Sequence, residues 1–408
     1  MSDIKRKKIL LLGSLRYLLP VIKAAHEEGY YVITCDYLPD NIAHKYSDEY
    51  HNVSITDKEA VLELAQELNI DGIMSFAVDP GVVTAAYVAE KMSLPSCGPY
   101  KSVQILQNKA LFRKFLSDNG FVVPKAKSYS NVDKAIEDLD YFSFPIIVKP
   151  VDSAGSKGVT RVDNIEDLRP AVEIAFRNTI SKTEKQVIIE EFIEKKGYSS
   201  DTDSFSVDGE LKFVSFSSQR FDENAAGAYV PAAFSWPSTM NMQQQTELTS
   251  EIQRLLRLLR MRTSVYNIET RIGVDDKPYI MELSPRGGGN RLCEMLKYAT
   301  GQDLIKNAVK AAVGDKLDEI AQPEYKGCWA EVILHTEKKG IFKELYIDKT
   351  VRDRFVVEED LWIKKGDEVK DFSGANDAIG TLVLNFESQE QLNEMMNNQS
   401  KWLKVVVE

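Results

Sequence analysis

Apolar and polar positions alternate with two different periods along this chain, and the period changes mark the elements. Residues 8–12 open with an unbroken apolar run, Ile9-Leu10-Leu11-Leu12, as in a strand buried on both faces. Residues 30–35 and 72–76 read as further strands, and 18–28, 58–68 and 82–91 as helices, the first stopped by Gly29. Such alternation predicts an α/β unit with a parallel sheet over about the first hundred residues. Residues 104–119 continue as one helix, ended by Asn119-Gly120. Residues 144–149, 159–162 and 186–193 read as strands, with a helix opening at Asn164. Segments 204–207 and 211–217 form a hairpin over Asp208-Gly209. Residues 245–260 carry Leu248, Ile252, Leu255, Leu256 and Leu259 at helical spacing. Beyond a second hairpin at 266–284, a helical stretch runs to about Gly314. Short strands come next at 329–334, 358–363 and 380–386, then a polar helix at 390–397 and a last strand at 402–407.

The most informative pattern lies at 266–284. Residues 266–272 and 279–284 alternate as half-buried strands around a turn at 273–278. A hairpin centred between Asp275 and Asp276 sets Glu269 opposite Glu282 and Asn267 opposite Ser284. Directly opposed side chains have Cβ atoms about 4.5–5.5 Å apart, and like charges there repel. A hard divalent cation such as Mg²⁺ removes that penalty; two solvent-facing glutamates separated by a bulge would show the same letters. The strand exits through Ser284-Pro285-Arg286-Gly287-Gly288-Gly289-Asn290. Arginine suits bidentate contact with phosphate or carboxylate, and glycines let backbone approach a ligand.

Composition narrows the class. The 408 residues suffice for two or three domains, and 43% hydrophobic with 28% charged residues describe a globular protein. A net charge of −11 argues against nucleic-acid and membrane-surface roles. Cys35, Cys97, Cys293 and Cys328 show no CxxC spacing, which points to a reducing cytoplasm. Lys5-Arg6-Lys7-Lys8 before the first apolar run resembles a signal peptide, but Arg16 and Lys23 interrupt the apolar stretch, and a first strand explains it. The loop Gly13-Ser14-Leu15-Arg16 lacks GxGxxG, which disfavours a nicotinamide enzyme. The four histidines do not cluster along the chain.

Two further segments bear on chemistry. Lys149 ends an apolar strand and precedes a loop of small residues, Ser153-Ala154-Gly155-Ser156-Lys157-Gly158, whose N–H groups could cradle phosphate oxygens. A tight hairpin with a surface lysine would look alike. In 187–193 an apolar strand ends in Glu190-Glu191-Phe192-Ile193, which suits an adenine edge and face, or an edge strand with solvated acids.

Taken in order, Gln107-Asn108-Lys109-Ala110, Lys149 with its small-residue loop, Glu190-Glu191-Phe192-Ile193, Glu269 and Glu282 to Gly288 resemble the ATP-grasp superfamily, in its carboxylate–amine ligase branch. The resemblance covers about residues 1–314. It implies a multidomain α/β and α+β protein: an N-terminal parallel α/β domain (1–103), an ATP-grasp fold (104–314, lid about 125–195) and a small C-terminal α+β domain (315–408). It implies ATP and two Mg²⁺ or Mn²⁺ ions as cofactors. Lys109 and Lys149 would contact phosphates, under a lid formed by Ser153, Ala154, Gly155, Ser156 and Gly158. Glu190, with Glu191, Phe192 and Ile193, would hold adenine. Glu269 and Glu282 would ligate metal, and Arg286 would stabilise an acyl-phosphate. The chain departs from the family pattern twice. Ser284 stands where asparagine is usual among the metal ligands, so Asn267 is expected to supply the oxygen. Ser199 stands at the usual ribose-binding acid, leaving that role to Ser199 or Asp203. The implied function is an ADP-forming ligase joining a small-molecule carboxylate to an amine, cytoplasmic, with a homodimer left open. Relatives of glycinamide-ribonucleotide synthetase or carbamoyl-phosphate synthetase, or a nucleotide-binding scaffold, remain alternatives. The substrate pockets are expected in variable loops, at 220–238 and 286–291.

Overall fold

A computed structural model of the chain describes residues 6–153 and 155–408. The N-terminal strands pair in parallel in the order Glu49–His51, Tyr31–Cys35, Lys8–Leu12, Gly72–Ser75. Lys8–Leu12 lies inside this sheet, and Ile9 to Leu12 are fully buried, as their unbroken apolar run requires. The expected α/β unit is therefore present.

Residues 104–119 are not one helix. Tyr100–Gln107 and Lys109–Asp118 are separate helices that break at Asn108, where the backbone is extended. The Asn108 side chain accepts hydrogen bonds from the Ala110 and Leu111 N–H groups, capping the second helix. This cap places Lys109 at a helix start. The stretch running to Gly314 is likewise two helices, Leu292–Thr300 and Leu304–Ala312, separated by Gly301 in the left-handed conformation.

Two antiparallel sheets enclose the central region. One runs Ala126–Tyr129, Val187–Glu191, Ile146–Pro150, Thr160–Val162. The other runs Glu210–Phe213, Ser200–Val207, Ser264–Ile272, Pro278–Ser284. A further sheet has five strands, in the order Ser218–Phe221, Pro231–Trp236, Cys328–Leu334, Gly380–Phe386, Val356–Leu361. Residues 220–238, expected as variable loops, thus contribute strands, and the sheet they join crosses the expected boundary near residue 314. Their small residues (Ala232, Ala233, Ser235) carry a weak hydrophobic signal, while the pairing partner lies about a hundred residues away in sequence. A three-stranded sheet of Glu368–Val369, Gly340–Ile347 and Leu403–Val407 completes the C-terminal unit.

Trp236 joins the two systems. It is fully buried at the end of its strand, and its Nε1–H donates to Thr202 Oγ1 in the central sheet at 3.1 Å. Trp236→Ala is expected to destabilise the protein by about 3–5 kcal/mol through the cavity it leaves. Trp236→Phe should cost clearly less. Urea unfolding of both variants measures the difference.

Candidate active site

The site begins with a buried charge network. Lys149 projects from the strand Ile146–Pro150, and Glu190 from the adjacent strand Val187–Glu191. Their side chains meet at 2.8 Å, and Arg113 Nε reaches the other Glu190 oxygen at 2.8 Å. Arg113 lies one helical turn beyond Lys109, which explains why one helix serves both residues. All three groups are buried. Burial alone would push the Glu190 carboxyl up, but Arg113 and Lys149 outweigh it and hold the group at about 2, against an ordinary 4.5. The carboxylate of Glu190 thus orients Lys149. Lys109 Nζ lies 3.0 Å from Glu282 and donates to the Ser153 carbonyl at 3.0 Å.

The hairpin has the expected register where it matters. Glu269 pairs with Glu282 and Asn267 with Ser284. The register shifts one step nearer the turn: Thr270 pairs with Ile280, leaving Met281 as an extra residue in a bulge. The hairpin is therefore not centred between Asp275 and Asp276 along its whole length. The bulge lies on the turn side of the acid pair and does not separate it. On the other flank Asp201 pairs with Glu269 and Asp203 with Asn267. Asp201, Glu269 and Glu282 consequently form one row across three strands. Burial raises Glu269, and Glu282 raises it further; burial, with Glu269 adding to it, pushes Asp201 up to about 8. Among the described residues no three His, Cys, Asp or Glu side chains close on one ion position.

Asn267 donates its amide N–H to Asp201 at 2.8 Å and to Asp203 at 3.3 Å. Its amide oxygen accepts no hydrogen bond among the described residues. The Ser284 hydroxyl accepts from Gln107 at 2.7 Å and donates to Asp79 at 3.0 Å. Arg286 makes a two-point contact with Asp79, at 2.8 and 2.7 Å, so the start of the N-terminal helix Asp79–Met92 holds this arginine. The glycines after Arg286 are needed for close approach. A Cβ on Gly287 would lie 2.2 Å from the Phe76 ring, and one on Gly288 2.6 Å from Leu292. The Gly288 N–H donates to both Asp203 oxygens, at 2.9 and 3.1 Å, and Cys293 Sγ lies 2.8 Å from one of them. Asp203 is completely buried beneath this turn.

The strand end at Glu190–Ile193 meets a second arginine. Arg271 donates to the Ile193 carbonyl at 2.9 Å and to Ser199 Oγ at 3.1 Å. Ser199 is fully buried. Phe192 lies between Arg161, 4.4 Å from its ring centre, and Tyr229, with ring centres 6.3 Å apart. Glu191 points away, its carboxylate accepting from the Ser143 N–H at 2.9 Å. In the small-residue loop, Gly155, Ser156 and Gly158 all have left-handed backbone, and Ser156 Oγ donates to the Tyr229 carbonyl at 3.0 Å. Ala154 lies outside the described residues.

Lys109, Lys149, Glu190, Glu269, Glu282, Asn267, Ser284 and Arg286 come together. Asp203 and Ser199 are close by but occupied by hydrogen bonds, from Gly288 and Asn267 and from Arg271 respectively. The sequence reading missed Arg113, Asp79, Gln107, Asp201 and Arg271. The helical spacing of Arg113 from Lys109, and the alternation of Asp201 with Asp203, were the available signals. Asp79 offered none.

Residues 142–294 match the family model described as ATP-grasp domain. The chain is 25% identical over 330 residues to the carbamoyl phosphate synthase large chain of Pseudothermotoga lettingae, covering 78% of this chain and 29% of that protein. It thus spans under a third of that relative. The L-amino acid ligase from Bacillus licheniformis superposes with a TM-score of 0.82 at 19% identity, over 99% of each chain. The phosphoribosylglycinamide synthetase from Anaerococcus prevotii gives 0.72 at 21%, covering 99% of this chain and 100% of its own. The chain carries an ATP-grasp domain, set within a fold that these two proteins share from end to end.

The charge network sets a pH dependence. A carboxyl held below its ordinary value stabilises the fold above about pH 4.5, and this stabilisation is lost as pH falls toward 2. Glu190→Gln leaves Arg113 and Lys149 buried without their carboxylate, and should cost about 3–5 kcal/mol at pH 7. It should also flatten the stability loss between pH 4.5 and 2. Urea midpoints measured across that range test both effects.

Proposed function

We propose that this protein is an ATP- and Mg²⁺-dependent, ADP-forming ligase that activates a carboxylate as an acyl-phosphate and joins it to an amine. One observation carries the reading: two lysines, two facing carboxylates and an arginine, drawn from distant segments, share one electrostatic neighbourhood. Glu269 is influenced by Glu282, Lys149 and Lys109, and Lys109 by Glu282, Asp79 and Glu190.

The donor set fits a hard cation. Mg²⁺ keeps several waters and takes one or two protein carboxylates together with substrate phosphates. Glu269 and Glu282 would hold it, and the Asn267 amide oxygen, whose nitrogen is occupied by Asp201 and Asp203, would join them. Ser284 is already bonded to Gln107 and Asp79 and is the weaker candidate. Bound there, the cation would neutralise phosphate charge. We take the number of ions as two.

Lys149, aimed by Glu190, and Lys109 would draw the phosphates of ATP into place. The loop from Ser153 to Gly158 would cover them, tied by Ser153 to Lys109 and by Ser156 to Tyr229. Phe192 and Ile193 would take adenine, with Glu191 contributing backbone only. Arg271, on the Ile193 carbonyl and Ser199, would shape the ribose side. Asp203 is read as the anchor of the glycine turn rather than a ribose ligand. A substrate carboxylate oxygen attacks the γ-phosphorus and ADP departs; the amine then attacks the acyl carbon and phosphate departs. Arg286, oriented by Asp79, would offset charge on the acyl-phosphate. The protein's contribution is positioning and fixed charge. End-to-end likeness to the L-amino acid ligase supports small carboxylate and amine substrates.

No described helix is long and apolar enough to cross a membrane. The four free cysteines suit a reducing cytoplasm, which we take as the location. Light scattering would test a homodimer.

Glu282→Gln should lower ADP release about a hundredfold or more while the circular-dichroism spectrum stays native. Unchanged turnover would sink the metal assignment. The nucleotide product should be ADP with orthophosphate, and chromatographic detection of AMP with pyrophosphate would exclude the mechanism. Amide exchange across residues 155–158 should slow when a non-hydrolysable ATP analogue and Mg²⁺ are added, and equal exchange with and without them would count against a lid.

A further inference from the structure

Two strand edges in this fold are covered by the protein itself. On Glu210–Phe213 the outward Leu211 N–H donates to Gln253 Oε1 of the helix Met242–Leu258, at 2.8 Å. On Ser218–Phe221 the Gln219 N–H donates to the Ser199 carbonyl at 2.9 Å. The strand Leu403–Val407 lies at the edge of the three-stranded sheet, paired on one side with Gly340–Ile347. Among the described residues nothing caps its other side. An uncapped edge of β-branched apolar residues is a template for pairing with another strand.

The direction of each backbone group on this strand follows from its bonds. The Ile341 N–H donates to the Glu408 carbonyl at 2.9 Å, and the Glu408 N–H to the Ile341 carbonyl at 3.0 Å. The Asp348 N–H donates to the Trp402 carbonyl at 2.8 Å. Phe342, opposite Val407, donates its N–H the other way, to the Asp367 carbonyl. Backbone groups alternate in direction along an antiparallel strand. Those of Lys404 and Val406 therefore face Gly340–Ile347, and those of Val405 and Val407 face outward. Side chains alternate between the two faces of the sheet. Val405 and Val407 pack on the core side with Phe342 and Leu403. Lys404, Val406 and Glu408 lie on the open face beside Tyr346 and Glu344; Val406 is 36% exposed and Tyr346 47%.

The edge is complementary to itself. Hydrogen bonds form only where outward-facing residues meet outward-facing residues, so a second copy laid antiparallel has few registers open to it. Centring the pair on Val406 sets Val405 opposite Val407 of the second copy, each exchanging both backbone hydrogen bonds. The same register sets Val406 opposite its own copy and Lys404 opposite Glu408, in the non-hydrogen-bonded positions where side chains come closest. Opposite charges directly across a sheet attract. Centring on Val405 instead faces Lys404 with Val406 and loses the charge match. Centring on Lys404 sets two lysines against each other. Glu408 already meets Lys343 within the chain, but its side chain is 73% exposed and open to a second cation.

We infer that the edge of Leu403–Val407 binds a second copy of this chain, the two strands pairing antiparallel about a twofold axis at Val406. The contact is isologous, with the same patch on both copies. It joins the three-stranded sheets of the two copies into one continuous sheet, with the apolar core of each C-terminal unit beneath it. The edge is short, so the association is reversible and depends on concentration. None of these residues belongs to the candidate active site, and the inference stands apart from the ligase reading.

The test uses the full chain. Sedimentation velocity is recorded from about 1 μM to about 100 μM, the span over which a small reversible interface dissociates. Wild type should pass from monomer to dimer across it. Val406→Lys sets like charges against each other at the axis, and Val405→Pro removes an N–H that only pairing uses. Each should raise the dissociation constant about tenfold or more while the circular-dichroism spectrum stays native. Should Val405→Pro not fold, Val406→Lys, on the open face, provides the comparison with the same outcomes. Lys404→Glu and Glu408→Lys should each weaken the dimer, and the two changes together should restore most of it. Residues that matter only to the fold of one copy would not show this rescue. A monomer at every concentration, a dimer unaffected by Val406→Lys, or a double exchange that restores nothing overturns the inference.

Discussion

The repulsion between Glu269 and Glu282 is the constraint around which the central site is arranged. Two carboxylates directly opposite one another on adjacent strands are unfavourable without compensation, and here Asp201 extends the row. The surrounding cations are placed accordingly: Lys109 at 3.0 Å from Glu282, Arg271 at 4.0 Å from Glu269, and Lys149 within reach of the same field. The compensation is incomplete, since Glu269 and Asp201 both remain raised. A site with residual negative charge, ringed by lysines and an arginine, is suited to take a cation and an anion together. Magnesium nucleotide is such a pair.

The cations are held by ionic contacts of their own. Lys149 is aligned by Glu190, Glu190 by Arg113, and Arg286 by Asp79. A lysine free in solvent would lose rotamer entropy on meeting a phosphate. One already fixed in a buried network loses less, which is the physical content of preorganisation. Buried networks of this kind add little to net stability, because desolvation offsets the Coulomb gain. Their presence around the hairpin and their dependence on several chain segments fit a functional arrangement better than a stabilising one.

The glycine turn after Arg286 couples the parts. It lies against Phe76 of the N-terminal unit, is tied to Asp203 of the central sheet through Gly288, and leads through Asn290 and Arg291 to Tyr17 and Glu358. The arginine proposed for the acyl-phosphate and Arg291, which is held by Glu358 of the five-stranded sheet, are thus five residues apart on one short connection. The turn thereby ties the five-stranded sheet, whose strands come from both sides of residue 314, to the N-terminal unit and the central sheet.

Local pattern by itself determined much of this protein. The buried first strand, the parallel α/β unit, the acid-bearing hairpin and the order of the motifs all come from periodicity, turn residues and spacing, which act between neighbours in the chain. The pairing of Glu269 with Glu282 was legible because a hairpin register depends on one short turn. The bulge at Met281 was not, because either register places apolar residues acceptably and packing selects between them. Tertiary structure alone decided the rest. The break at Asn108 required knowing that Lys109 must start a helix. Arg113 meets Glu190 and Asp79 meets Arg286 across separations of 77 and 207 residues. No periodicity encodes such meetings. They arise from the way sheets and helices stack, and the charges buried there are assigned their partners, or left without one, only when the chain has folded.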